Sequence, residues 1–291
     1  MRVTEQSHFA SLVRRIQSHQ GRLQEAVAEA STGVRVQRPS DDPLASAALQ
    51  RLEVSAQRHQ SYLRVQTTMQ GQLETAESSL TSGVAVLGDA LELALQMSSG
   101  AHTEESLQAS AERVSLLKES LREIANTSHQ GRYLFGGVAD DQPPFDDAGG
   151  FQGSTTLRQV EIGEQQRISQ LSGEDLFSVQ GESLFAVLDE LEGALAGGDQ
   201  AGASATIDRL RGGVTSLTTG IQTVGNHLTT LEHARAFSEV IVLDAQRQSD
   251  RLEAADLADA ASRIQMATTA LQASAQAAQQ VKGLKDLLFK L

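Results

Sequence analysis

A chain of 291 residues with 40% hydrophobic content can bury a sizeable core, but it contains no Cys and no Trp and only 2 Tyr and 8 Phe, which excludes disulfide frameworks, thiolate metal sites and cysteine nucleophiles. Its formal net charge of -13 opposes sequence-independent binding to nucleic acid or to anionic membranes. No stretch reads as the roughly 18 apolar residues of a membrane span, and the first thirty residues carry scattered charges without a continuous apolar run, so neither membrane insertion nor a cleavable secretory signal is expected.

From the N-terminus, Phe9, Leu12, Ile16, His19, Leu23, Ala26 and Ala30 recur at alternating spacings of three and four, the narrow seam of a heptad helix. Ser31-Thr32-Gly33 stops that helix. The passage Arg38, Pro39, Ser40, Asp41, Asp42, Pro43 then reads as a turn, with Ser40, Asp41 or Asp42 available to cap a new helix whose first turn holds Pro43. Apolar periodicity carries that helix through Leu52, Leu63, Leu73, Leu80, Leu87 and Leu91, about 55 residues and roughly 80 Å at the α-helical rise. Ser98-Ser99-Gly100 ends it. Thr103 caps the next helix, with Glu104 and Glu105 in its first turn, and Leu107, Val114, Leu117, Leu121 and Ile124 mark an antiparallel return.

Between 131 and 182 the pattern changes to short alternating runs such as Leu157 to Ile162, separated by glycines, and six of the ten aromatic residues lie between 131 and 185. A small β-rich insert with a core of its own is expected there. The helical seam resumes after Phe185, breaks at Gly197-Gly198-Asp199, and runs on through Ile207, Leu217, Leu231 and Leu252. A last helix shows Leu257, Ala260, Ile264, Ala267, Leu271, Val281 and Leu288.

The expected fold is therefore mainly α: an elongated antiparallel, coiled-coil-like helical rod with a small β-rich insert and terminal heptad helices. Residues 1–43 and 252–291 are assigned to terminal assembly helices, 44–130 and 186–251 to the rod, and 131–185 to the insert. Isolated seams are marginal in water, so the terminal helices are expected to order on assembly. The assembly seam is assigned to Phe9, Leu12, Ile16, Leu23, Leu257, Ile264, Leu271, Val281 and Leu288.

Chemistry is hard to find in this chain. None of the seven histidines forms a one-turn pair for a metal, and His19 and His59 fall on seams where a polar residue sets register. Asp140, Asp141, Asp146 and Asp147 read as a solvated acidic turn, and Asp41-Asp42 as a helix start. Phosphate-binding, dinucleotide, nucleophile-elbow and zinc-protease motifs are missing, so no enzyme activity, metal or cofactor is expected.

The opening Met1-Arg2-Val3-Thr4, the run Ala30 to Val36 leading into Arg38-Pro39-Ser40-Asp41-Asp42-Pro43, the segment Gly131, Arg132, Tyr133, Leu134, Phe135, Gly136, Gly137, and the last helix from Leu257 to Ser274 resemble the bacterial flagellin-like family. The Gly131 to Gly137 run is similar to the hook-filament junction branch of that family. Resemblance implies an adaptor subunit joining hook to filament, a homo-oligomer in the axial structure, and contacts with a neighbouring hook-associated protein and flagellin. It also implies an export chaperone at the C-terminal helix, type III export without a cleavable signal, and an extracellular place in the flagellum. The Ser-Asp-Asp-Pro turn is shared with flagellin itself, so a small filament flagellin stays open as an alternative, and the heptads alone also allow a cytoplasmic coiled-coil scaffold.

Overall fold

The computed structural model describes residues 2–100 and 102–288, without the side chains of residues 2–9, 12, 278 and 280–288. The chain is mainly α. Its elements run α1 (Arg2–Thr32), α2 (Pro43–Met97), α3 (Glu104–Ala125), β1 (Ser128–His129), β2 (Arg132–Tyr133), β3 (Gln159–Gly163), β4 (Gln166–Ser169), α4 (Gly173–Leu176), β5 (Ser178–Val179), β6 (Glu182–Ser183), α5 (Leu184–Ala196), α6 (Gln200–Glu253) and α7 (Leu257–Leu288).

Each boundary has a local cause. Asp42 accepts a hydrogen bond from the Ala45 N–H at 3.0 Å, which makes it the cap of α2 with Pro43 as the first helical residue. At the other end His102 Nε2 lies 3.0 Å from the Gln96 carbonyl and 2.9 Å from that of Ser99. Thr103 caps α3, Ser183 caps α5, and Asp199 and Asp256 accept the first free N–H groups of α6 and α7.

The chain divides into two compact units, residues 1–57 with 242–291, and residues 58–241. Both borders fall inside long helices, α2 and α6, and not at the proline turn. In the second unit Leu217 lies over Gly83, Leu87 over Gly213 and Leu80 over Gly220. Positions rise along α2 as they fall along α6, so the two run antiparallel there. α3 and α5 pack on each other beside them, and one continuous core runs from Met69 to Ala234.

The insert corrects two expectations. It has no core of its own: Phe135, Phe145, Phe177 and Phe185 form an aromatic cluster with ring centroids 5.2 to 6.3 Å apart, and that cluster is continuous with Leu80, Leu87 and Leu121 of the helices. Burying aromatic edges against helix leucines uses apolar area that a segment this short cannot cover alone. Its β structure is three separate two-stranded antiparallel hairpins, β1-β2, β3-β4 and β5-β6. The acidic turn also differs from expectation. Asp140 is 5% exposed and holds Arg132 at 2.9 Å and Arg158 at 3.1 Å, whereas Asp146 accepts the Gly150 and Ala148 N–H groups.

A third correction concerns α2, which is long and apolar enough to cross a membrane, with a mean hydropathy of 1.2 in its most apolar window. Leu80, Leu87, Ala90 and Ala94 of that helix are fully buried in the core of the second unit, which accounts for their apolarity.

Candidate assembly surface

The first unit is built on α1 against α7, and what it buries is small. Among the described side chains, its buried apolar residues are Ala26, Val36, Ala45, Ala245, Ala260 and Ala267. Among the described residues, none of this unit belongs to the continuous core. Larger side chains stay open: Val13, Val27, Leu44, Val54, Leu243, Leu257 and Met266 are exposed, and Leu44 keeps 85% of its surface. Around the alanines buried on α1 and α7, Val13, Val27, Leu257 and Met266 of the same two helices stay exposed. A 54-residue helix and a 55-residue helix end in this unit with the same problem.

Of the expected seam, Ile16, Leu23, Ile264 and Leu271 are half-buried in the first unit, and Leu257 is 57% exposed. The side chains of Phe9, Leu12, Val281 and Leu288 lie outside the described residues.

An ion pair ties α1 to α7. The Glu29 carboxylate, nearly buried, accepts from the Arg263 guanidinium, which also holds Asp259 at 2.8 Å. Glu29 first and Asp259 second push Arg263 further above its ordinary range.

The expected turn residues form a compact hydrogen-bonded knot. Asp41 accepts from the Arg38 N–H at 2.8 Å and the Gln37 N–H at 3.2 Å, and its own N–H returns to the Arg38 carbonyl. Pro39, Ser40 and Arg38 face solvent. The Asp42 carboxylate is held below its ordinary 3.8, mainly by the Ala45 N–H and then by Arg35 at 3.1 Å.

Sequence reasoning missed the residues that join this turn to the returning chain. Val34 pairs with Ala254 in an antiparallel bridge, with the Arg35 N–H on the Glu253 carbonyl at 2.7 Å and the Ala255 N–H on that of Gly33 at 2.9 Å. Arg35 adds a hydrogen bond to the Leu252 carbonyl at 3.2 Å. Partners 217 residues apart in the chain leave no periodic signal, which is why the spacing analysis passed them over.

The family model of the bacterial flagellin N-terminal helical region matches residues 3–140, which take in α1, the turn, α2, α3 and the first hairpin. Over 317 aligned residues the chain is 26% identical to flagellar hook-associated protein 3 of Escherichia coli strain K12 and 24% identical to flagellar hook-associated protein 3 of Salmonella typhimurium strain LT2, covering 100% of this chain and 99% of each relative. The chain is thus similar to the flagellin N-terminal region over its first half and to two flagellar hook-associated proteins 3 along its length. A solved Vibrio parahaemolyticus flagellar protein superposes with a TM-score of 0.68 at 17% identity, over 74% of this chain and 100% of that one. The flagellar junction protein FlgL from Legionella pneumophila does so with 0.59 at 12%, over 71% and 100%. These two likenesses concern the fold.

The Gly131 to Gly137 run is structural. Gln130 and Gly131 turn the β1-β2 hairpin, Arg132 reaches Asp140, the Tyr133 N–H bonds the Asp140 carbonyl at 2.9 Å, and Leu134 and Phe135 are buried. Gly136 and Gly137 lie so close to the backbone of Ala139 and Ser154 that a side chain at either would collide with it. Among the described residues no group of three or more His, Asp or Glu is placed to hold a metal ion.

Proposed function

We propose that this chain is a structural subunit of the bacterial flagellum that joins hook to filament. The observation that carries the reading is similarity along the whole length to two flagellar hook-associated proteins 3. The first unit supports it: a unit that buries mostly alanines and leaves seven large apolar side chains exposed, four of them on α1 and α7, has surface to give to neighbours. Charge supports it too. The first unit holds 13 basic and 12 acidic residues, while residues 58–241 hold 11 and 25. Copies can bring the near-neutral units together without net repulsion and keep the acidic ones apart.

On this reading α1 and α7 are assembly helices, ordered by packing on like subunits, on a neighbouring hook-associated protein and on flagellin. Their seam is Phe9, Leu12, Ile16, Leu23, Leu257, Ile264, Leu271, Val281 and Leu288. An export chaperone holds the C-terminal helix before assembly, and the subunit leaves the cell by type III export without a cleavable signal. It works without catalysis, metal or cofactor. The match to the flagellin N-terminal region favours one second reading, a small filament flagellin.

Immunogold labelling of isolated flagella, with motility of a deletion strain, tests the choice. A narrow labelled band where hook meets filament, with filaments shed on deletion, is expected. Label along the filament would make the chain a flagellin, and none on the flagellum would remove it from the organelle.

A further inference from the structure

The hairpins β1-β2 and β5-β6 are the same object twice. Residues 128–136, Ser-His-Gln-Gly-Arg-Tyr-Leu-Phe-Gly, and residues 178–186, Ser-Val-Gln-Gly-Glu-Ser-Leu-Phe-Ala, agree at five of nine positions with an offset of fifty. Their geometry agrees more closely than their sequence. Ser128 pairs with Tyr133 as Ser178 pairs with Ser183, and His129 with Arg132 as Val179 with Glu182. Gln130 has φ 52° and Gln180 φ 53°, Gly131 79° and Gly181 82°, the positive pair that a two-residue hairpin connection demands. Even the closing bond repeats: the Leu134 N–H reaches the Thr127 carbonyl at 3.0 Å and the Leu184 N–H reaches that of Phe177 at 2.9 Å. Each hairpin follows a helix cap and delivers a Leu-Phe pair to the core.

The residue before Gln-Gly meets a helix glycine in both copies. A Cβ on Gly71 of α2 would lie 3.2 Å from the His129 ring, and a Cβ on Gly212 of α6 2.5 Å from Val179. Thr75 gives its hydroxyl proton to the Gly71 carbonyl at 2.7 Å, so it accepts from His129 Nδ1 at 3.0 Å. At the second copy Glu182 pairs with Arg209 at 2.8 Å, and Ser216 donates to the Asp175 carbonyl at 3.1 Å. The equivalent Arg132 turns to Asp140 inside the insert instead.

We propose that residues 127–136 and 177–186 are two copies of one clip, which fasten the two ends of the insert independently, the first to α2 and the second to α6, by seating one side chain against a helix glycine. His129 and Val179 are interchangeable seats in this device. The Thr75 hydrogen bond is an addition to the first copy and not its basis.

Amide hydrogen exchange on the full-length protein tests this. Gly71→Leu blocks the first seat and is expected to speed exchange about tenfold or more in residues 128–134 while leaving 178–184 unchanged, and Gly212→Leu to do the reverse. His129→Val, which places the second copy's residue in the first, is expected to keep 128–134 as protected as in the unmodified protein. Loosening of both segments together in either glycine variant would overturn independence, and no change in either would overturn the seat. Should a leucine variant fail to fold, His129→Val still decides: release of 128–134 in that variant would show that the copies are not equivalent.

Discussion

Glu29 and Arg263 stand 234 residues apart in the chain and meet as an ion pair between α1 and α7. Glu29 has only 8% of its surface exposed, so its partner cannot be replaced by water without cost. Arg263→Met strands that carboxylate and is expected to destabilise the α1-α7 pair by about 1 to 3 kcal/mol. Glu29→Gln leaves Arg263 with Asp259 and solvent and should cost less. Urea titration followed by helical circular dichroism checks the asymmetry; equal losses would assign the pair no buried character.

The Asp42 carboxylate works only when ionised. Its pKa is lowered in the folded chain, so its contribution is present above the ordinary value of 3.8 and is lost as the pH falls through the lowered one. Asp42→Ala removes both the Ala45 cap and the Arg35 partner and should lower the melting temperature at neutral pH. Asp42→Asn keeps a capping oxygen and should lower it less. At a pH well below 3.8 the parent and Asp42→Asn should converge.

His227 contributes in its neutral form, where Asp42 contributes in its charged one. Burial of its ring lowers its pKa below 6.5, and its Nδ1 is enclosed without a hydrogen-bond partner. The unfolded chain therefore binds the proton more readily. Stability is full above 6.5 and falls as the pH drops below it. His227→Leu should flatten the dependence of melting temperature measured between about pH 8 and about pH 5.5; an unchanged slope would place the titrating group elsewhere.

The assembly reading predicts a separation between folding and incorporation. Leu23→Asp, Ile264→Asp and Leu271→Asp each put a charge where the reading puts a neighbour, and burying an unpaired carboxylate is prohibitive. Each is expected to abolish incorporation into sheared flagella while the aromatic cluster of residues 58–241 keeps its near-ultraviolet signal. Normal filaments built from any of the three would remove that residue from the seam.

Removing residues 1–43 and 252–291 takes away none of the described residues of the continuous core. The truncated chain is expected to melt cooperatively and to remain monomeric by sedimentation. Loss of the cooperative transition would show that the tails are part of the fold.

Helices were legible because their signals are local. Asp42-Pro43, Thr103 with Glu104 and Glu105, and Gly197-Gly198 act within one turn, and α2, α3 and α5 begin or end at those residues. Contacts between distant segments were not legible. The Val34 bridge to Ala254 uses backbone groups that any residue carries. Asp140 looked solvated beside Asp141, yet Arg132 and Arg158 draw it into the interior from eight and eighteen residues away. Phe135, Phe145, Phe177 and Phe185 were placed together by composition, but only the folded chain shows that their cluster is continuous with the helical core. The duplicated clip is a separate lesson: its fifty-residue offset lies in plain sequence, and differences such as His129 for Val179 hide it until the backbone is compared.

The rung between Val34 and Ala254 also bears on torque. A single connecting strand swivels about its own single bonds and passes on little twist. Here the outgoing and returning strands are cross-linked by two backbone hydrogen bonds and by Arg35, which grips the Leu252 carbonyl on one side and Asp42 on the other. Neither strand can rotate alone. A subunit placed in a spinning axle would transmit rotation through this double strand as a shaft key does, where one strand would slip.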